Sequence, residues 1–191
     1  MQNLNILIAG VGGQGTVLLA RLVADMALAQ GARVRGSETI GMAQRGGSVV
    51  SHVRIGQSDS PLISPGGADV LLAFEPGEAL RALPYLKEGG ALAVCDRIQP
   101  SASAGRTKEP VPASTYLEQL HARVPQLTLL PFSQVLDACG SAKPLNVALL
   151  GAAIAAGLLP FSTAQAIAAL HARVPERFWA LNETALQCTG T

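Results

Sequence analysis

Two glycine-rich segments of this 191-residue chain hold residue types at spacings that chemistry could use. The first is GVGGQG, residues 10–15, which follows a short β-rich run and opens an amphipathic stretch. Glycines at this spacing let the backbone turn tightly and let a phosphate come close. The free N–H groups at the start of a helix then meet its negative charge. Gly12, Gly13, Gln14 and Gly15 are therefore candidate phosphate contacts. Glu38 falls about where a ribose-binding acid follows such a turn. Three readings stay open here: glycines that only shape a strand–helix turn, an NAD(P) site, and a site for another phosphate-bearing ligand. Against NAD(P), the chain leaves no room for a separate substrate domain. Few of its residues look like a hydride-transfer acid or base, since His52 falls within a strand and His121 and His171 near helix ends.

The second segment is GMAQRGGSVVSHVRIG, residues 41–56. It leaves one strand and enters the next on the carboxyl-end side of a parallel sheet, where open α/β folds place their ligands. Gly46 and Gly47 permit close approach by another chain. Met42 supplies an adaptable apolar contact, Gln44 donates and accepts, and Arg45 offers a planar fork for a carboxylate or phosphate. Met42, Gln44, Arg45, Gly46 and Gly47 thus read as a surface for an anion or a partner's acidic group. The alternative is a solvated loop.

These residues need elements to hold them. A strand over 5–9, the glycine turn, a helix over 16–30 ended by Gly31, and a strand over 33–37 make a first βαβ unit. Residues 49–55 alternate as a third strand, whose second face is more polar than a central strand would tolerate. The run DVLLAF at 69–74 is a buried parallel strand. A helix over 75–86 carries Leu80, Leu83 and Leu86, and Gly89-Gly90 separates it from the strand 91–95. Residues 97–114 lack periodicity. A helix near 115–124 and a strand near 127–131 follow, then helices near 133–139, 145–158, 162–173 and 175–187. The sum is an α/β, Rossmann-like fold: a mostly parallel sheet flanked by helices, with a helical C-terminal region, in a single domain over 1–191. LHARVP at 120–125 and 170–175 is a coincidence of helix-end chemistry, too short for a repeat.

Composition removes other classes. Apolar residues make up 49% and charged residues 14%, with net charge +1, so no nucleic-acid footprint is visible. The longest apolar run, 147–159, is too short for a membrane span. Cys95, Cys139 and Cys188 are scattered and form no metal or cluster motif, which fits a reduced, cytoplasmic protein.

GVGGQG at 10–15, ETIGMAQRGGSVVSHVRIG at 38–56, ADVLLAFEPGEALRALPYLKEGG at 68–90 and NVALLGAA at 146–153 carry a resemblance, with RVPERFWALNETAL at 173–186 similar as well. The chain resembles the gamma-domain family of 2-oxoacid:ferredoxin oxidoreductases, and within it the indolepyruvate-type beta subunits. The resemblance implies a subunit without cofactor or catalytic residue of its own. Thiamine diphosphate, Mg2+ and 4Fe–4S clusters would sit on a large alpha-type partner that reduces ferredoxin. Coenzyme A would accept the acyl group and could lie at the interface. Residues 36–48 would dock near the partner's active site with Arg45 facing an anion. Asn146 reads as the N-cap of an apolar helix.

Overall fold

The computed structural model describes residues 3–39, 47–98 and 111–190. Strand β1 (Leu4–Val11) and helix α1 (Thr16–Ala29) flank the first glycine turn, and β2 (Val34–Thr39) and β3 (Ser48–Ile55) flank the second glycine segment. β4 (Ala68–Ala73), α2 (Pro76–Ala82), a 3-10 turn (Leu83–Tyr85) and β5 (Leu86–Cys95) follow. After them come α3 (Ala113–His121), β6 (Gln126–Leu130), α4 (Phe132–Cys139), α5 (Leu145–Ala155), α6 (Thr163–Arg173), a second 3-10 turn (Glu176–Phe178) and α7 (Trp179–Leu186).

The strands form one sheet in the order β2-β3-β1-β4-β5-β6. β1, β4, β5 and β6 pair in parallel, while β3 runs antiparallel to both its neighbours. The α/β, mostly parallel architecture is as expected, with one correction. β2 does not pair with β1, because β3 lies between them. The first βαβ unit is therefore split by a reversed strand.

β3 also corrects the expectation that its polar face belongs at an edge. Ser51 is 0% and His52 5% exposed. The segment after β3 makes this burial tolerable. His52 Nδ1 accepts the Ile63 N–H at 3.2 Å, and its ring meets Tyr85 edge-on, centroids 6.1 Å apart. Arg54 donates to the carbonyls of Ser60 and Leu62 at 3.1 and 3.0 Å, and to Asn5 Oδ1 at 2.9 Å. Buried polar groups survive when they are paired. Only the Ser51 hydroxyl is buried without a partner among the described side chains.

Two apolar layers cover the sheet. One face packs Ile6, Ile8, Val53, Ile55, Val70 and Leu72 against α1, α5, α6 and α7. The other packs Leu7, Ala9, Leu71 and Leu92 against α2 and α3. β1 is apolar without alternation, with Ile6, Leu7, Ile8 and Ala9 all fully buried, because it has a layer on each side. α5 is buried almost all round, and Gly151 is where it meets the chain end. A Cβ there would lie 2.2 Å from the Leu186 carbonyl oxygen. Only glycine permits that crossing.

Helix ends follow local chemistry. At the end of α1, Gly31 N–H bonds the Leu28 carbonyl at 2.9 Å and Ala32 N–H bonds that of Ala27 at 3.1 Å, a Schellman arrangement. Ser162 and Gln165 form a reciprocal capping box at α6. The two LHARVP copies do share one end geometry: Val124 and Val174 each donate to the leucine carbonyl four residues back, both at 2.8 Å. The helix expected over 75–86 stops at Ala82 and gives way to the 3-10 turn. The chain enters β5 at Leu86, so Gly89 and Gly90 lie within the strand, where its register against β4 shifts. Glycine inside a strand commonly marks such an irregularity. Among the described residues no helix is long and apolar enough to cross a membrane.

Candidate functional site at the carboxyl edge of the sheet

β1 delivers the glycine turn to the carboxyl edge, and β4 delivers Phe74 and Glu75 beside it. The Phe74 N–H bonds the Ala9 carbonyl at 3.0 Å, extending the parallel ladder to the mouth of the turn. β3 begins at this edge because it runs the other way, with Ser48 opposite Val11. The Gly12 N–H donates to the Gly47 carbonyl at 2.9 Å, which joins the two glycine segments. Of the expected contact residues, Gly12, Gly13, Gln14, Gly15 and Gly47 therefore converge. Met42, Gln44, Arg45 and Gly46 lie outside the described residues.

Gln14 turns inward. Its Oε1 accepts the Val11 N–H at 2.7 Å, and its Nε2 donates to Glu75 Oε1 at 2.5 Å. Its own N–H bonds the Val11 carbonyl at 3.1 Å. Side chain and backbone thus brace the turn against α2. Gly15 caps α1 at φ 90°, and a Cβ there would come 2.8 Å from Asn146 Nδ2. This corrects the reading of Asn146 as an N-cap. Pro144 occupies that position and α5 begins at Leu145. Asn146 instead lies in the first turn, 5% exposed, its Oδ1 accepting the Val147 N–H at 3.0 Å and its amide packed on the glycine turn.

Two acids at this edge went unremarked in the sequence. Glu75 and Glu78 are 6% and 8% exposed. Glu75 takes the Gln14 amide. Glu78 accepts the Ser48 hydroxyl at 2.6 Å and has Arg81 at 3.5 Å. The local signal was FEPGE, two acids three residues apart after a buried strand. The rim beyond β5 is built in a similar way. Asp96 accepts the Phe132 N–H at 2.7 Å and so caps α4, while burial pushes the Cys95 thiol up to about 12.

The arrangement is a braced turn with carboxylates beside it. The N–H groups of Gly12 and Gln14 are engaged internally, so the turn offers a phosphate fewer donors than its glycine spacing suggests. Glu38 sits half-buried on β2, two strand spacings, about 9–10 Å, from β1. A ribose held by Glu38 would not reach a pyrophosphate on the turn as in a dinucleotide site with adjacent strands, and this counts against the NAD(P) reading. Among the described residues no three His, Cys, Asp or Glu side chains gather as a metal site.

Known proteins agree with the family expected from the motifs. The family model described as pyruvate ferredoxin/flavodoxin oxidoreductase matches residues 5–189. The indolepyruvate oxidoreductase subunit IorB of Archaeoglobus fulgidus is 37% identical, over 96% of this chain and 92% of that protein. The gamma subunit of a keto/oxoacid ferredoxin oxidoreductase from Geobacter sulfurreducens superposes with a TM-score of 0.65 at 29% identity, over 97% of this chain and 95% of that one. A 2-oxoglutarate:ferredoxin oxidoreductase from Magnetococcus marinus, solved with 2-oxoglutarate, coenzyme A and succinyl-CoA bound, shares the fold at a TM-score of 0.67 and 21% identity; 97% of this chain matches 30% of that longer one. The chain belongs to the pyruvate ferredoxin/flavodoxin oxidoreductase family, as a subunit of a 2-oxoacid:ferredoxin oxidoreductase.

Proposed function

We propose that this subunit serves an oxidoreductase acting on indolepyruvate or another aryl 2-oxoacid, with coenzyme A as acyl acceptor. The thiamine diphosphate, Mg2+ and 4Fe–4S clusters reside on a large alpha-type subunit that passes electrons to ferredoxin. This chain contributes a docking surface. The name of the Archaeoglobus relative supports the substrate class, and the acyl acceptor rests on family resemblance. The observation that carries the docking role is the bond from Gly12 N–H to the Gly47 carbonyl. With Thr39 at the end of β2, it sets both ends of the segment bearing Met42, Gln44 and Arg45 at the carboxyl edge. Arg45 would meet a carboxylate or a coenzyme A phosphate there, supplying positive charge that Glu75 and Glu78 do not.

Co-expression with the large subunit tests this. The two chains should co-purify and reduce a viologen dye with indolepyruvate, dependent on both chains and on coenzyme A. No complex with a folded, cluster-loaded partner overturns the subunit reading. Reduction confined to pyruvate or 2-oxoglutarate overturns the aryl substrate alone. An assembled Arg45→Ala complex that turns over normally removes the anion role. A phosphate at Gly12, Gly13, Gln14 and Gly15 is tested at Gly13, whose φ is +97° and whose Cβ would enter open space. Gly13→Asn suits that backbone better than most side chains and projects into the approach. Unchanged coenzyme A affinity in the folded variant would remove the phosphate from the turn.

A further inference from the structure

A cavity of about 310 Å³ lies between α1 and the strands β2 and β3, at the small end of the range for ligand sites, about 300–1,000 Å³. Ala20 and Ala24, one turn apart on α1, form one wall, and Gly36 of β2 forms part of the floor. Nothing in the fold requires that glycine. Its φ lies outside the left-handed region, and a Cβ there would meet only the His52 carbonyl oxygen, at 3.6 Å, an ordinary contact. Gly36 stands opposite Val53, which belongs to the apolar layer under α1, so the Cβ would project into the cavity. A glycine inside a strand weakens it and often marks the close approach of a ligand. Two charged side chains line the same space, Arg21 from α1 and Glu38 from β2. Among the described residues neither belongs to an ion pair. Ser51 lies directly across from Glu38, on the sheet face that carries Val53, and is 0% exposed. Its Oγ is the hydroxyl buried without a partner among the described side chains, an arrangement that is costly unless something supplies the missing bond.

We propose that this cavity binds a small zwitterion, an α-amino acid. Its ammonium group donates to the Glu38 carboxylate and to Ser51 Oγ, and its carboxylate accepts from the Arg21 guanidinium. Its aliphatic part lies over Ala20, Ala24 and Gly36, where the absence of a Cβ leaves room for it. An opposite charge on each wall selects a ligand that carries both signs. A ligand with only one of them leaves either Arg21 or Glu38 without its partner. Occupancy satisfies the one buried hydroxyl that the fold leaves unbonded among the described side chains.

The test titrates the purified full chain with glycine and with L-leucine, followed by calorimetry and by backbone amide NMR shifts. Both should bind saturably, with the largest shifts at residues 20–24, 36–38 and 51. L-leucine methyl ester, which lacks the carboxylate, and 4-methylpentanoate, which lacks the ammonium, should each bind about tenfold or more weakly. Glu38→Gln and Arg21→Ala should each weaken L-leucine by about tenfold or more, the loss of a charged hydrogen bond, and Ser51→Ala by about two- to tenfold. Gly36→Val fills the floor and should abolish binding while melting no lower than wild type, because a β-branched residue suits a strand. Should Gly36→Val fail to fold, the Arg21 and Glu38 variants still decide. Failure of the folded wild-type chain to bind either amino acid overturns the proposal, and leaves the Ser51 hydroxyl to water. So does equal binding of the ester or of 4-methylpentanoate, or undiminished binding by Arg21→Ala and Glu38→Gln.

Discussion

Gly15→Ala separates a glycine required by packing from one required by a ligand. Gly15 sits at φ 90°, where an alanine costs about 1–2 kcal/mol in backbone strain. The added Cβ would also stand 2.8 Å from Asn146 Nδ2, 3.1 Å from Cγ and 3.3 Å from Cβ. Relieving that contact moves a buried amide at the start of α5, an overpacking cost of about 1–3 kcal/mol. The sum is about 2–5 kcal/mol, a fall in melting temperature of about 4–20 °C for a chain of this size. Asn146→Ala removes the nitrogen and Cγ and leaves only the 3.3 Å contact, which a shift of a few tenths of an ångström relieves. Alone it loses the acceptor for the Val147 N–H, worth about 1 kcal/mol. In the double variant the strain term remains and the steric term goes. The cycle should therefore show a favourable coupling of about 1–3 kcal/mol between the substitutions. Urea denaturation of the four chains measures it. Additivity within about 0.5 kcal/mol would refute the contact. A Gly15→Ala chain of unchanged stability whose complex loses coenzyme A affinity would assign the glycine to the ligand instead.

Three further outcomes are expected. Burial lowers the His52 pKa below its ordinary 6.5, so the unfolded chain binds the proton more readily; melting temperature should fall as pH drops below that value, and an unchanged pH slope in His52→Gln would exclude His52 as the cause. Gly151→Ala sets a Cβ 2.2 Å from the Leu186 carbonyl oxygen, a backbone atom that cannot rotate away; a loss of about 3 kcal/mol or more is expected by denaturant titration, and less than about 1 kcal/mol would mean that α5 and α7 separate freely. Ser162→Ala removes the capping box of α6 and should cost about 1 kcal/mol, with no change implying that the cap contributes nothing to the fold.

What could be read from the sequence was local. The strand, glycine turn and helix over residues 4–31 carry their signals within one another's reach, and so do the C-terminal helices, whose capping residues and apolar spacing lie inside each segment. β3 was recognised as a strand but not as an inner, reversed one. Its polar face is acceptable only because the segment carrying Ser60, Leu62 and Ile63 returns to satisfy His52 and Arg54. Glu75 and Glu78 looked like ordinary acids in a helix first turn. Their burial depends on Gln14 and Ser48, 61 and 30 residues away in sequence. Asn146 misled for a similar reason: cap chemistry is local, whereas its contact with Gly15 exists only once α5 lies against α1.

The reversed strand changes what the glycine fingerprint means. In an open parallel sheet with adjacent first and second strands, the turn, the helix start and an acid on the neighbouring strand together define a dinucleotide site. Here β3 occupies the neighbouring place, and its start, Gly47 and Ser48, bonds the turn on one side and Glu78 on the other. Gln14, which a phosphate reading would aim at ligand, is folded back between Val11 and Glu75. Each of these bonds ties the second glycine segment, or the helix after β4, to the end of β1. A turn used in this way is a bracket. It gives the glycine spacing a structural role beside two nearly buried carboxylates, surroundings unfavourable to an anion unless a cation is supplied as well. A phosphate or carboxylate at this edge needs positive charge beside it; in the proposed docking role Arg45 would supply it, and the Arg45→Ala complex is where that proposal is tested.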